Sequence, residues 1–280
     1  MKLKDLLYKA QSDLTPRYGE GEAKWMVRTI IEHIKGWNQV EVLLRRDEEV
    51  SDFIVGKVEG VVGKLLDNEP MQYILGDTYW YGMTLKVSPA VLIPRPETEE
   101  LVDMIVKDNK ASDLKVMDIC TGSGCIAIAL AKNLAFSTVN AIDISDDALS
   151  VAQENAVEQK VSVNFHKADA LKLESESGKY DIIVSNPPYV LEKEKAVMDA
   201  NVLNYEPHLA LFVPDNEPLK FYKPISEYAF ESLKENGKLY LEINPLAVDE
   251  LLELLKSQNW NEVDVYPDIY KKNRFIKAIK

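Results

Sequence analysis

Apolar residues recur with helical spacing through the first quarter of the chain. Leu3, Leu6 and Leu7 fall on one helical face. Trp25, Val27, Ile30, Ile31 and Ile34 form a broader stripe that stops at Gly36, a residue type that ends helices because it takes left-handed backbone without a Cβ clash. A short helix is expected over 40–44. A longer one is predicted after Ser51, where Ile54, Val55, Val58, Val61, Val62, Leu65 and Leu66 repeat at three- and four-residue intervals. Gly56, Gly60 and Gly63 lie on one side of that helix and lower its propensity, which points to a close helix approach or a bend. Residues 1–70 therefore read as a small all-helical domain.

The period then changes. Residues 72–88, QYILGDTYWYGMTLKVS, are rich in aromatic and β-branched types and are broken by Gly76 and Gly82. They predict a β-hairpin that links two domains over 71–90. Pro94 and Pro96 flank Arg95, and a helix follows through Glu99, Leu101, Val102 and Ile105. From Lys115 onward, strands are predicted at 115–119, 138–142, 161–166, 180–184, 237–243, 260–266 and 274–279. Helical patterns fall at 124–133, 145–158, 219–235 and 246–257. This alternation predicts an α/β fold over 91–280: a Rossmann-like, mostly parallel seven-stranded sheet covered on both faces by helices. The PDIYKKN connection between the last two strands is too short for a helical crossover, so they are expected to form an antiparallel hairpin at the sheet edge.

Composition narrows the function classes. The chain has 280 residues, enough for one large domain or two modest ones. Its 33 Lys and Arg against 46 Asp and Glu leave a net charge of −13. That balance argues against a free-standing nucleic-acid binder, which needs a basic surface for phosphates. At 46% hydrophobic and 28% charged residues, the chain can bury a core. The apolar run at 125–131 is far shorter than the roughly 18 residues of a membrane span. The opening MKLKDLLYKAQS lacks the apolar stretch of a secretory signal. Cys120 and Cys125 are too few for a disulfide scaffold and match no zinc spacing, and His33, His166 and His208 form no ligand constellation. A cytoplasmic monomer with no membrane or direct nucleic-acid contact and no metal is expected.

Two motifs carry chemistry. The strand at 115–119 contains Asp118, and Thr121-Gly122-Ser123-Gly124 opens the next helix. Glycines there let the backbone approach a ligand, and the helix amino terminus offers unpaired N–H groups. The next strand ends in Asp143, 21 residues beyond Gly122, where a carboxylate can accept from both hydroxyls of a ribose. Asp169 supplies a second carboxylate at the same edge, near where an adenine amino group could be held. These residues describe a site for an adenosine-type cofactor, but the spacing fits an NAD enzyme as well as another nucleoside.

The second motif is Asn186-Pro187-Pro188-Tyr189, directly after the apolar strand 180–184. Two successive prolines fix their φ angles and lack N–H donors, so the Pro187 carbonyl has no amide beside it. With the side-chain oxygen of Asn186, the turn can accept both hydrogens of a planar NH2 group. Tyr189 offers a flat apolar face for stacking. An amide or exocyclic amino nitrogen is a poor nucleophile. Holding both of its N–H bonds on acceptors favours the positive charge that builds as it attacks a methyl carbon.

With these residues in view, the chain resembles the HemK-type protein-(glutamine-N5) methyltransferases, which modify peptide chain release factors. The resemblance rests on PMQYILG at 70–76, VLIPRPETEELV at 91–102, DICTGSGCIAIALA at 118–131, AIDISDDAL at 141–149 and YDIIVSNPPYV at 180–190, with a weaker likeness in NYEPHLALF at 204–212. It implies S-adenosylmethionine as methyl donor, bound by Asp118, Cys120, Thr121, Gly122, Ser123 and Gly124, by Asp143 on the ribose, by Asp169 and Ala170 around the adenine, and by Asn186. It implies that Asn186, Pro187, Pro188 and Tyr189 grip a release-factor glutamine, that Arg95 and Glu97 line or brace the mouth of the site, and that the helical domain recognises the release factor. Three features depart from the family pattern. Cys120 stands for the first loop glycine, where a Cβ is tolerated if φ is negative. Trp80 stands for a phenylalanine. EINPLA at 242–247 lacks a glycine and a glutamine. The readings weighed against this one are an adenine-N6 methyltransferase acting on nucleic acid, an NAD-dependent oxidoreductase, and a catalytically silent scaffold.

Overall fold

In the computed structural model, which describes Met1–Lys280, the early helical spacing becomes α1 (Leu3–Tyr18), α2 (Glu20–Lys35), α3 (Gln39–Leu44), α4 (Asp52–Leu66) and α5 (Met71–Leu75). These helices form one compact unit, Met1–Gly76, together with Asp199–Tyr205 from much later in the chain. Leu6, Leu14, Ile30, Ile31, Val58 and Leu65 are buried in its core. The buried stripe of α2 runs through Ala23, Met26, Val27, Ile30 and Ile31, at i, i+3, i+4, i+7 and i+8, and it turns Trp25 outward to 47% exposure. Gly36 ends α2 at φ 67°, as expected. The glycines of α4 do not mark a close approach: a Cβ on Gly56, Gly60 or Gly63 would meet nothing within 4 Å. The first residues of the expected hairpin, Met71–Leu75, instead form α5, which ends at Gly76 with φ 86°.

The second unit covers Asp77–Met198 and Glu206–Lys280. It begins with the hairpin β1 (Asp77–Trp80) and β2 (Met83–Lys86). Tyr81 and Gly82 turn it with positive φ of 47° and 71°, the geometry that matches strand twist in a two-residue hairpin. Trp80 is buried, and its indole N–H donates to the Arg95 carbonyl at 2.8 Å. It thereby anchors the segment ahead of α6 (Pro96–Asp108).

The main sheet contains β3 (Lys115–Ile119), β4 (Thr138–Asp143), β5 (Val163–Lys167), β6 (Tyr180–Ser185), β9 (Leu233–Glu242), β10 (Glu262–Pro267) and β11 (Asn273–Ile279). Between β6 and β9 lie the short parallel pair β7 (Val190–Leu191) and β8 (Phe212–Val213), with α9 (Ala200–Tyr205) belonging to the first unit. The seven strands run in the order β10-β11-β9-β6-β3-β4-β5. The first five by sequence pair in parallel, and β11 lies antiparallel between β9 and β10. The expected hairpin thus forms at the sheet edge, with the antiparallel strand one place inside it.

Helices cover both faces, as the strand burial requires. Val116, Ile182, Val184 and Tyr240 pack under α6 and α7 (Cys125–Asn133). The alternate residues Met117, Ile183, Leu239 and Leu241 pack under α10 (Tyr222–Ser232) and α11 (Val248–Ser257). From β3 the chain proceeds outward to β4 and β5, then returns to place β6 on the other side of β3. The carboxyl ends of β3 and β6 are therefore a topological switch point, where open α/β sheets form their ligand crevice.

Asn155 of α8 (Asp146–Glu158) ties this region together. It is fully buried, donates to the Lys86 and Ser123 carbonyls at 3.0 and 2.9 Å, and accepts from the Lys86 amide at 2.6 Å. Asn155→Ala strands those backbone groups in the interior and is expected to cost about 3 kcal/mol in urea unfolding. A loss below about 1 kcal/mol would show that the clamp does not bear on stability.

Candidate active site

Two turns leave the carboxyl ends of β3 and β6 and face one cavity of about 390 Å³. In the first, Cys120, Gly122 and Gly124 take φ of 63°, 54° and 80°. Cys120 therefore does not keep the negative φ expected of a residue with a Cβ. Left-handed backbone costs such a residue about 1–2 kcal/mol. Neighbouring hydrogen bonds impose the shape: the Thr121 N–H donates to the Ile142 carbonyl, and the Gly122 N–H to Asp143 Oδ2, each at 2.9 Å. A Cβ on Gly122 would meet nothing within 4 Å, so this turn faces open space. One on Gly124 would lie 3.0 Å from the Ala152 Cβ, so the absence of a side chain there lets α7 approach α8.

The acids of this edge divide into wall and brace. Asp143 lies on the wall. Its Oδ2 takes the Gly122 amide and its Oδ1 the Ser145 amide at 3.0 Å, which leaves each oxygen a further lone pair. Asp169 and Ala170 also line the cavity. The Leu171 amide, then the Lys172 ammonium, hold the Asp169 carboxyl below the usual carboxylate range. Asp118 is behind the wall and fully buried; its Oδ2 accepts from the Thr121 hydroxyl at 2.7 Å. Its Oδ1 is buried with no partner of ordinary hydrogen-bond geometry. Burial pushes the Asp118 carboxyl up to about 7, against the Thr121 hydroxyl, which favours the charged form. Asp118 and Gly124 thus shape the turn and do not line the cavity, unlike Cys120, Thr121, Gly122 and Ser123.

The second turn starts where Ser185 pairs with Ile119, so Asn186 leaves β6 level with Cys120, the first residue after β3. Asn186 and Pro188 line the cavity, while Pro187 and Tyr189 stand outside its wall. Asn186 Nδ2 donates to Thr98 Oγ1 at 3.3 Å, and the Thr98 hydroxyl donates to Glu242 Oε2 at 2.7 Å. The Tyr189 hydroxyl donates to the other oxygen, Oε1, at 2.9 Å. The Tyr189 ring is thus tethered by its hydroxyl to the end of β9. Burial, then the Glu242 charge, pushes the Tyr189 phenol well above its ordinary range, so it remains a donor. Asn244 completes the support by donating to the Tyr189 carbonyl at 3.0 Å.

At the mouth, Arg95 lines the cavity and pairs with Glu206 at 2.6 Å; Glu206 is buried and also accepts from the Ile93 amide. Glu97 does not reach the wall. The sequence reading named Arg95 but missed Thr98, Glu206 and Glu242. For Glu242 a signal was present, since an acid ends the otherwise apolar strand segment LYLE.

Residues 5–76 match the PrmC N-terminal domain family, and residues 110–274 match a family described as a methyltransferase domain. A release factor glutamine methyltransferase of Flavobacterium psychrophilum is 44% identical over 265 residues, covering 93% of each chain. One from Bacteroides thetaiotaomicron is 43% identical over 93% of this chain and 94% of the relative. The chain belongs to the release factor glutamine methyltransferase family. Among solved structures, a methyltransferase from Pyrococcus furiosus superposes with a TM-score of 0.53 at 16% identity, covering 78% of this chain and 96% of its own, which speaks to the fold. Membership of the glutamine methyltransferase family sets aside the nucleic-acid methyltransferase and oxidoreductase readings. No helix is long and apolar enough to cross a membrane.

Asp118 gives this family member a pH signature. Its carboxyl keeps its proton to about pH 7 when folded but loses it near 3.8 when unfolded. Between those values the folded state binds more protons, so stability falls as pH rises. In the ligand-free protein, wild type is expected to lose a few kcal/mol relative to Asp118→Asn between about pH 4 and 7, and no more above that. Urea unfolding of both proteins across this range measures it. A difference that is flat with pH would contradict a neutral buried acid.

Proposed function

We propose that the cavity holds S-adenosylmethionine beside the turn at 186–189, and that the chain transfers a methyl group to the side-chain amide nitrogen (N5) of a glutamine in a peptide chain release factor. The observation that carries this reading is the meeting of the glycine turn and the Asn-Pro-Pro-Tyr turn on one cavity at the switch point. The lining fits the donor: Gly122 leaves open space where a Cβ would stand, and Asp143 and Asp169 supply carboxylate acceptors for hydroxyl and amino groups. When bound, S-adenosylmethionine supplies a methyl carbon made electrophilic by its sulfonium.

The chain's own residues do the rest. Asp143 holds the ribose hydroxyls with the lone pairs left free by Gly122 and Ser145. Asp169 and Ala170 border the adenine. Asn186 Oδ1 accepts one N–H of the glutamine amide at the cavity wall, and the Pro187 carbonyl, which lies in the backbone between the lining residues Asn186 and Pro188, accepts the other. This orients the nitrogen and stabilises the positive charge it gains. Tyr189, held by Glu242, braces the turn that the flat carboxamide enters. After transfer the nitrogen carries the new methyl group and its two original hydrogens. One of these is lost to water by way of the acceptor that held it, and the other acceptor keeps the single N–H of the N-methyl amide. Arg95 and Glu206 brace the mouth, and the helical unit Met1–Gly76 contributes release-factor recognition.

The reading extends to a cytoplasmic monomer that acts on protein without direct nucleic-acid contact. A net charge of −13 supports the absence of a phosphate-binding role. Intact-mass measurement of a release factor after incubation with enzyme and donor tests the activity: one added methyl group on the glutamine-bearing peptide is expected. Asn186→Ala is expected to lower kcat about 100-fold or more while the donor Kd stays within about threefold. Calorimetric loss of donor binding in parallel with turnover would contradict this division of roles.

A further inference from the structure

The chain of hydrogen bonds behind the turn has a direction, and Glu242 sets it. Burial pushes the Glu242 carboxyl up, but the Thr98 and Tyr189 hydroxyls and the Arg274 charge favour its ionised form. As a carboxylate it can only accept, so the hydrogens of Thr98 and Tyr189 are both committed to it. With its hydrogen spent, Thr98 Oγ1 can only accept, and the group it accepts from is Asn186 Nδ2. The Asn186 amide is thereby fixed with its nitrogen toward Thr98 and its Oδ1 left for the cavity. A reversed chain would present an NH2 group to an incoming NH2 group, two donors facing each other.

We infer that Thr98 and Glu242 are positioning residues that select a carboxamide over a carboxylate, by holding Asn186 with its acceptor oxygen toward the substrate. This rests on the glutamine-methylating reading and extends it to specificity. A glutamate side chain offers the site oxygen atoms only, and Asn186 Oδ1 with the Pro187 carbonyl would repel them. If Asn186 turned over, its Nδ2 would meet those oxygens favourably, and the preference for glutamine would shrink or reverse. Glu242 is buried, and Thr98, which borders the cavity, is itself 2% exposed.

The test uses the full chain, a release factor, and the same factor with its acceptor Gln replaced by Glu. Thr98→Val removes the hydroxyl at nearly constant shape. Glu242→Gln replaces one of two acceptor oxygens by a donor, which forces one hydroxyl of the relay to reverse. Thr98→Val is expected to lower kcat on the order of 100-fold with donor affinity unchanged, and Thr98→Ser to restore most of the rate. Wild type is expected to bind the Gln form more tightly than the Glu form. Thr98→Val and Glu242→Gln are expected to move that ratio toward Glu by about tenfold. Merely structural damage lowers both affinities together and leaves the ratio alone. Equal behaviour of the Val and Ser variants, or a ratio unchanged in both Thr98→Val and Glu242→Gln, overturns the inference while the methylation reading stands. A wild-type enzyme that adds no methyl group to the Gln form removes that reading, and the inference with it.

Discussion

The parallel pairing of β3 with β6 is the constraint on which the site depends. Ile119 and Ser185 stand side by side, so the turns that follow them emerge at one level on one edge. Because the chain runs outward from β3 to β4 and β5 before returning to β6, α7 after β3 and α10 ahead of β9 pack on opposite faces and leave a crevice between them. Two motifs more than sixty residues apart in sequence thus share one cavity. The buried Ser185 hydroxyl, donating to the Ile119 carbonyl at 2.6 Å, joins the two strand ends directly.

Around that crevice, three buried polar side chains hold backbone and side-chain groups in poses that packing alone would not select. Asp118 fixes the glycine turn through Thr121, Asn155 fixes it to the β1–β2 hairpin, and Glu242 holds the Asn-Pro-Pro-Tyr turn through Thr98 and Tyr189. Each pays a desolvation cost that is recovered only through these hydrogen bonds. For Asp118 and Glu242 that cost also shows as a carboxyl pushed upward by burial. The conformational strain at Cys120 belongs to the same arrangement, since the turn is held from β4 at Thr121 and Gly122 whatever residue precedes it.

Much of this was legible in the sequence where local pattern decides. The strands at 115–119 and 180–184 announce themselves by apolar β-branched runs, and the two motifs by glycine and proline chemistry. Long-range polar pairing was not legible. Nothing near Thr98 indicates Glu242 or Asn186, and nothing near Asp199–Tyr205 indicates that this segment leaves the second unit for the first. The conformation of Cys120 was also hidden, because the hydrogen bonds that impose it come from another strand. Trp25 was misplaced for a simpler reason. A tryptophan counts as apolar in any pattern, yet the buried stripe of α2 runs through Met26 and Val27 beside it.

The central claim is that an acceptor-only corner grips a flat amide nitrogen next to the donor. A crystal structure with S-adenosylhomocysteine and a glutamine-bearing release factor tests it most directly. The account predicts the carboxamide nitrogen at about 3 Å from both Asn186 Oδ1 and the Pro187 carbonyl oxygen. A glutamine side chain lodged away from the 186–189 turn, or met there by Asn186 Nδ2, would contradict it.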